Sequence, residues 1–159
     1  MKPSVYIETT VPSYYHETRR TREAIVWRQA TREWWDKHRL AYSLYTSSYV
    51  FAELRQAPRA KSAATQMLLQ GITVLPEPTE FEDVVGYYIQ HHLMPGEAKG
   101  DAAHLALASL HRMSFLLTWN IRHLANANKI QHMSVLNARL GLPVPIITTP
   151  MTLVPETLP

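Results

Sequence analysis

Between Gly100 and Asn120, a run of alanines and leucines gives way to a short apolar stretch, and this pair constrains the fold more than any other feature of the chain. Gly100-Asp101-Ala102-Ala103-His104-Leu105-Ala106-Leu107-Ala108 reads as a helix that is apolar nearly all round, the pattern of a helix packed closely on a sheet. Asp101 stands at its start, where a carboxylate can cap backbone N–H groups and face the positive end of the helix dipole. Phe115-Leu116-Leu117 then reads as a buried strand, and Thr118-Trp119-Asn120 emerges at its carboxyl end. Parallel α/β sheets bind ligands at that edge. Asp101 and Asn120 are therefore candidates to meet there.

The rest of the chain repeats this strand-and-helix unit. Ser4-Val5-Tyr6-Ile7 is β-branched and aromatic, and it ends at Glu8-Thr9-Thr10-Val11-Pro12, which predicts a first strand delivering Glu8 at its carboxyl end. A long helix is expected from about Thr21 to His38, with Ala24, Trp27, Thr31, Trp34 and Trp35 as its apolar stripe. Arg20, Arg28 and Arg32 fall on the other side and read as a solvated face. Leu44-Tyr45-Thr46-Ser47 resembles a second strand, and Ser47 or Ser48 can cap a helix holding Val50, Phe51, Glu53 and Leu54. Glu53 falls about a turn and a half past the sheet edge, with Arg55 as an alternative partner.

Further along, Ala60 to Gln70 predicts a helix and Ile72 to Leu75 a strand. Thr79-Glu80-Phe81-Glu82 has capping-box spacing for a helix reaching about Gln90. His91 and His92 point in different directions and read as surface residues ahead of a loop from Met94 to Gly100. Ile130, Met133, Leu136 and Leu140 mark the last helix, stopped by Gly141 and Pro143, and Ile146 to Thr149 a final strand. This alternation predicts a three-layer α/β/α sandwich with a central, mainly parallel sheet. Residues 1–154 read as one domain and 155–159 as a loose tail.

Composition narrows the chemistry. A chain of 159 residues can bury a core of its own, since domains near this size bury roughly 68–70% of their unfolded surface. There is no cysteine, so a disulfide, a thiolate zinc site and a cysteine nucleophile are excluded. The start at Met1-Lys2-Pro3 runs straight into a strand without an apolar leader, and no stretch approaches the roughly 20 apolar residues of a membrane helix. A cytoplasmic protein, away from the membrane, is expected. The formal charge of +3 is too small to identify a partner.

Glu8, Glu53, Asp101 and Asn120 sit at strand ends and on the helices beside them, so one cleft can hold all four. Three carboxylates held together repel unless protonated or bridged by a cation. Oxygen ligands alone favour Mg²⁺ or Mn²⁺, which keep positions for water and phosphate. Thr118 is placed to orient Asn120 or a water, and His104, on the same helix face as Asp101, reads as a packing residue. Lys99, Arg122 and His123 flank the cleft.

These pieces together resemble the PIN-domain nucleases, and within them the VapC-type toxins of toxin–antitoxin pairs. Val5-Tyr6-Ile7-Glu8-Thr9-Thr10 is similar to the family's first strand with its acid, Ser47-Ser48-Tyr49-Val50-Phe51-Ala52-Glu53 to its glutamate helix, Asp101 to Ala108 to its most recognisable helix, and Leu117-Thr118-Trp119-Asn120 to its closing element. Glu8 stands where most of the family has aspartate, and Asn120 where a fourth acid is common. The resemblance implies a PIN-like fold and an endoribonuclease in which Glu8, Glu53, Asp101 and Asn120 bind the metal, with Thr118 assisting. It further implies an RNA substrate, a cognate antitoxin and a homodimer. The alternatives are a catalytically weak or inactive module of the same fold that binds RNA or protein, and, less well matched, a phosphate-transfer receiver or phosphatase.

Overall fold

A computed structural model describes residues 1–96 and 99–156. Its centre is a sheet of five parallel strands: β1 (Ser4–Ile7), β2 (Ser43–Thr46), β3 (Thr73–Val74), β4 (Phe115–Leu117) and β5 (Ile146–Thr148), in the order β3-β2-β1-β4-β5. Val5, Tyr6 and Ile7 are fully buried because β1 is the middle strand and is covered on both faces. Strand β3 is reduced to two residues, shorter than its apolar run predicts, and both are exposed.

The described residues form seven α-helices: α1 (Thr10–Tyr15), α2 (Arg22–Glu33), α3 (Ser48–Leu54), α4 (Arg59–Leu68), α5 (Phe81–Gln90), α6 (Lys99–Leu110) and α7 (Ala127–Leu140). Crossovers from β1 to β2 to β3 run one way along the sheet, and those through β4 to β5 run the other. Right-handed connections therefore place α1–α4 over one face and α5–α7 over the other, which makes the three-layer sandwich. The direction reverses between β1 and β4. At such a switch point the loops diverge and leave a crevice beyond the carboxyl ends of the strands.

Local chemistry explains the elements and their departures from expectation. Thr21 caps α2 by accepting from the Ala24 N–H at 3.2 Å. The helix expected to reach His38 changes at Trp34 into a wide π turn (Trp34–His38) and a 3₁₀ turn (Arg39–Ala41). The wide turn lets the consecutive Trp34 and Trp35 both reach the core, which a regular helix does not readily allow. The short α1 is an element the sequence reading does not contain; Pro12 fits it because it sits in the first turn, where a missing N–H costs nothing.

The expected capping box before α5 is absent, since Glu80 occupies the cap position without a side-chain bond. Arg20 and Arg32 are exposed, as the solvated face requires, and Arg28 is half-buried; Arg28 and Arg32 also donate to the carbonyls of Glu17 and Tyr15 and tie α2 to α1 and the turn after it. Gly141 ends α7 with φ 69°, a left-handed conformation that favours glycine. Ala102 to Ser109 of α6 are all buried, and the alanines among them let the helix pack closely. Glu97 and Ala98, in the loop expected before α6, and residues 157–159 of the expected tail lie outside the described residues. Pro155 and Glu156 border a cavity of about 470 Å³ with Pro3, Tyr42 and Phe115.

Candidate functional site

The site forms at the switch point. Beyond the strands, the Glu8 N–H donates to the Leu117 carbonyl at 3.1 Å and the Thr118 N–H to the Thr148 carbonyl at 3.0 Å, so the ladder holds the two residues side by side. Glu8 is only 2% exposed. Its Oε2 accepts from the Thr10 N–H at 3.1 Å, from the Thr10 hydroxyl, and from the Thr118 hydroxyl at 2.7 Å. Burial pushes its carboxyl above the usual range, against the opposing pull of His104 and of these hydrogen bonds.

Glu53 comes from α3. Ser47 caps that helix, accepting from the Val50 N–H at 3.4 Å, and α3 packs against α6. The Glu53 carboxylate lies over the start of α6, with Oε1 3.5 Å from where a side chain on Gly100 would begin. Its Oε1 bonds the His104 Nε2 at 2.5 Å, and Arg55, the expected alternative partner, is not involved. Asp101 is in the first turn of α6, and its Oδ1 accepts from the Asn120 Nδ2 at 3.0 Å. The Asn120 Oδ1 accepts from the His123 N–H at 2.9 Å, which settles the orientation of the amide. Burial raises the Asp101 carboxyl, with His104, the Asn120 bond and His123 pulling the other way and the like charge of Glu53 adding to the rise.

His104 is the common neighbour. It is fully buried, with Nε2 on Glu53 and Nδ1 2.7 Å from the Tyr6 hydroxyl, which is in turn 2.6 Å from the Ser47 hydroxyl. Burial opposes charge on the ring, but the Glu53 bond and the fields of Glu8, Glu53 and Asp101 outweigh it and raise its pKa. Sequence reasoning assigned His104 to packing and overlooked Tyr6 and Thr10. A signal was present: a tyrosine and a histidine inside otherwise apolar buried elements must find hydrogen-bond partners, and here they find each other.

Glu53 bonds the His104 imidazole, Glu8 and Asp101 act on it through their charge, and Thr118 and Asn120 bond Glu8 and Asp101 in turn. Each carboxylate has one oxygen engaged by the protein. Glu8 Oε1, Glu53 Oε2 and Asp101 Oδ2 have no hydrogen-bond partner among the described residues. Hard oxygen donors of this kind suit Mg²⁺ or Mn²⁺. Among the described residues, no three His, Asp or Glu side chains stand grouped as a ready-made metal cage. Asn120 is committed at both ends of its amide, and its expected role as a ligand competes with those bonds.

Trp119 connects this cleft to α2. Its backbone N–H donates to the Thr10 hydroxyl at 2.8 Å, its indole N–H to the Thr31 hydroxyl at 2.8 Å, and its ring stacks on Trp27 with centroids 4.6 Å apart. Lys99 and Arg122 are exposed at the flanks. A separate groove of about 590 Å³, bounded by Pro78, Asp83, Tyr87, Leu110 and Leu140, contains none of the site residues; charge and hydrogen bonding, rather than volume, locate the site. Comparison with known proteins returns no match, either to a family model or to a curated sequence. No described helix is long and apolar enough to cross a membrane.

Proposed function

We propose that this protein is a metal-dependent endoribonuclease of the PIN-domain type, similar to VapC toxins. The observation that carries the reading is that Glu8, Glu53 and Asp101, from three separate elements, all act on His104, each with one oxygen engaged and one without a partner among the described residues. Carboxylates held near one another repel unless a proton or a cation balances them.

In this proposal Glu8, Glu53 and Asp101 hold Mg²⁺ or Mn²⁺, directly or through water, and Thr118, Thr10 and Asn120 keep two of the carboxylates in place. When bound, the ion supplies water activation and neutralises the phosphate. Attack of water on phosphorus breaks the P–O3′ bond, leaving a 3′-hydroxyl and a 5′-phosphate. Asn120 brings no charge of its own, which favours one tightly held metal over two. The wider biology belongs to the same proposal: an RNA substrate, a cytoplasmic location, a homodimer, and a cognate antitoxin that covers the acidic cleft.

One observation favours a second reading, a module that binds RNA or protein without cutting: Asn120 is neutral and its amide is bonded at both ends. Incubating RNAs of mixed sequence with wild-type protein, Asp101→Asn and an EDTA control separates the two. Mn²⁺-dependent cleavage that disappears in Asp101→Asn supports the nuclease. Absence of metal-dependent cleavage across varied RNAs leaves the binding module.

A further inference from the structure

The bonds from Ser47 to Tyr6, Tyr6 to His104 and His104 to Glu53 form one continuous buried chain that begins and ends on α3. Ser47 caps the helix and Glu53 lies six residues later, a rise of about 9 Å. The chain leaves α3 at Ser47, passes through β1 at Tyr6 and α6 at His104, and returns to α3 at Glu53. Nothing in core packing requires polar groups here, since the flanking Val5, Ile7, Leu105 and Ala103 are buried and apolar.

From this geometry we infer that Tyr6 and His104 are positioning residues that set the Glu53 carboxylate for metal binding, presenting Oε2 while Oε1 is held. An ionised carboxylate only accepts hydrogen bonds, so the Nε2–H of His104 faces Glu53 whichever charge the ring carries. Tyr6 completes the device. By engaging Nδ1 it fixes the rotation of the ring, and through Ser47 it ties that rotation to the start of the helix that carries Glu53. A histidine whose second nitrogen is held in this way orients a metal-binding group from one step further out. Glu53 alone would be poorly placed to do this, because its side chain is 37% exposed and has three rotatable bonds.

The inference rests on the metal-holding reading of Glu53, and the test separates the two. Mn²⁺ binding, followed by titration calorimetry without RNA, is compared in wild type, Tyr6→Phe, His104→Ala, His104→Gln and Asp101→Asn, with thermal unfolding in EDTA as the check on folding. Tyr6→Phe and His104→Ala are expected to weaken Mn²⁺ binding by about 10–100-fold. His104→Gln, whose amide can still donate to Glu53, should recover much of that loss, which a role in packing alone does not predict. Wild-type-like Mn²⁺ binding by Tyr6→Phe and His104→Ala, with binding lost in Asp101→Asn, overturns the positioning role and leaves the nuclease standing. No Mn²⁺ binding by the wild type overturns both. Should Tyr6→Phe fail to fold, His104→Gln against His104→Ala carries the same comparison.

Discussion

Thr118→Val removes one hydroxyl from the centre of the site and nearly preserves its shape. Besides a 3.5 Å contact with the Thr10 hydroxyl, two closer bonds are lost: the donor to Glu8 Oε2 at 2.7 Å and the acceptor of the Asn120 N–H at 2.9 Å. A hydrogen bond to a charged group contributes about 1.5–3 kcal/mol, and a backbone N–H left without an acceptor costs about 1 kcal/mol where it is partly exposed, so the expected destabilisation with Glu8 ionised is about 3 kcal/mol. The sign with pH follows from Glu8, whose folded pKa is raised above 4.5. A carboxyl raised in this way contributes most below its unfolded pKa, and that contribution is lost as the pH climbs through the folded value.

Thr118 favours the charged form, so its removal raises Glu8 further and makes the loss at high pH larger. Below pH 4.5 the carboxyl is neutral, its bond is an ordinary one, and the penalty should shrink by about 1–1.5 kcal/mol, roughly one pKa unit. Urea unfolding of wild type and variant near pH 4 and pH 8 measures both numbers. Repeating the pair in a Glu8→Gln background should abolish the difference between the two conditions. An equal penalty at both values, or a pH dependence that survives Glu8→Gln, refutes the assignment of Thr118 to Glu8.

Other expectations are independent of the nuclease. Glu17, pulled down to about 2 chiefly by Arg19, contributes stability above the ordinary carboxylate range that is lost as the pH falls toward 2. Glu17→Gln should remove about 1–2 kcal/mol of it at neutral pH, after allowing for the exposure of Arg19, and flatten the acid limb of the unfolding curve. Leu116→Ala, in the fully buried β4, should cost about 2–5 kcal/mol by chemical denaturation. Gly141→Ala should cost about 1 kcal/mol, because the positive φ strains any residue with a Cβ. Trp119→Phe should alter the near-ultraviolet circular dichroism that the Trp27–Trp119 stack produces, and an unchanged spectrum counts against that stack.

Much of this fold was legible along the chain because its signals are local. Val5, Tyr6 and Ile7 announce a strand buried on both faces, Ser47 a helix start, Gly141 a helix end, and the alanines of 102–108 a close-packed helix; each depends on residues within a turn or two. The same logic placed Glu8, Asp101, Thr118 and Asn120 at the carboxyl edge, since strand ends and helix starts can be read from neighbouring residues. Tertiary structure decided how those groups are used. The strand order that puts β1 beside β4 joined Glu8 to Thr118 across 110 positions, and the packing of α3 on α6 turned Glu53 away from Arg55 and onto His104. Asp101, read from the sequence as a helix-start acid, gains a donor from Asn120 across 19 positions. Hydrogen bonds between distant residues depend on how the elements meet, which no local pattern encodes, and that is why His104 looked like packing until its neighbours were in place.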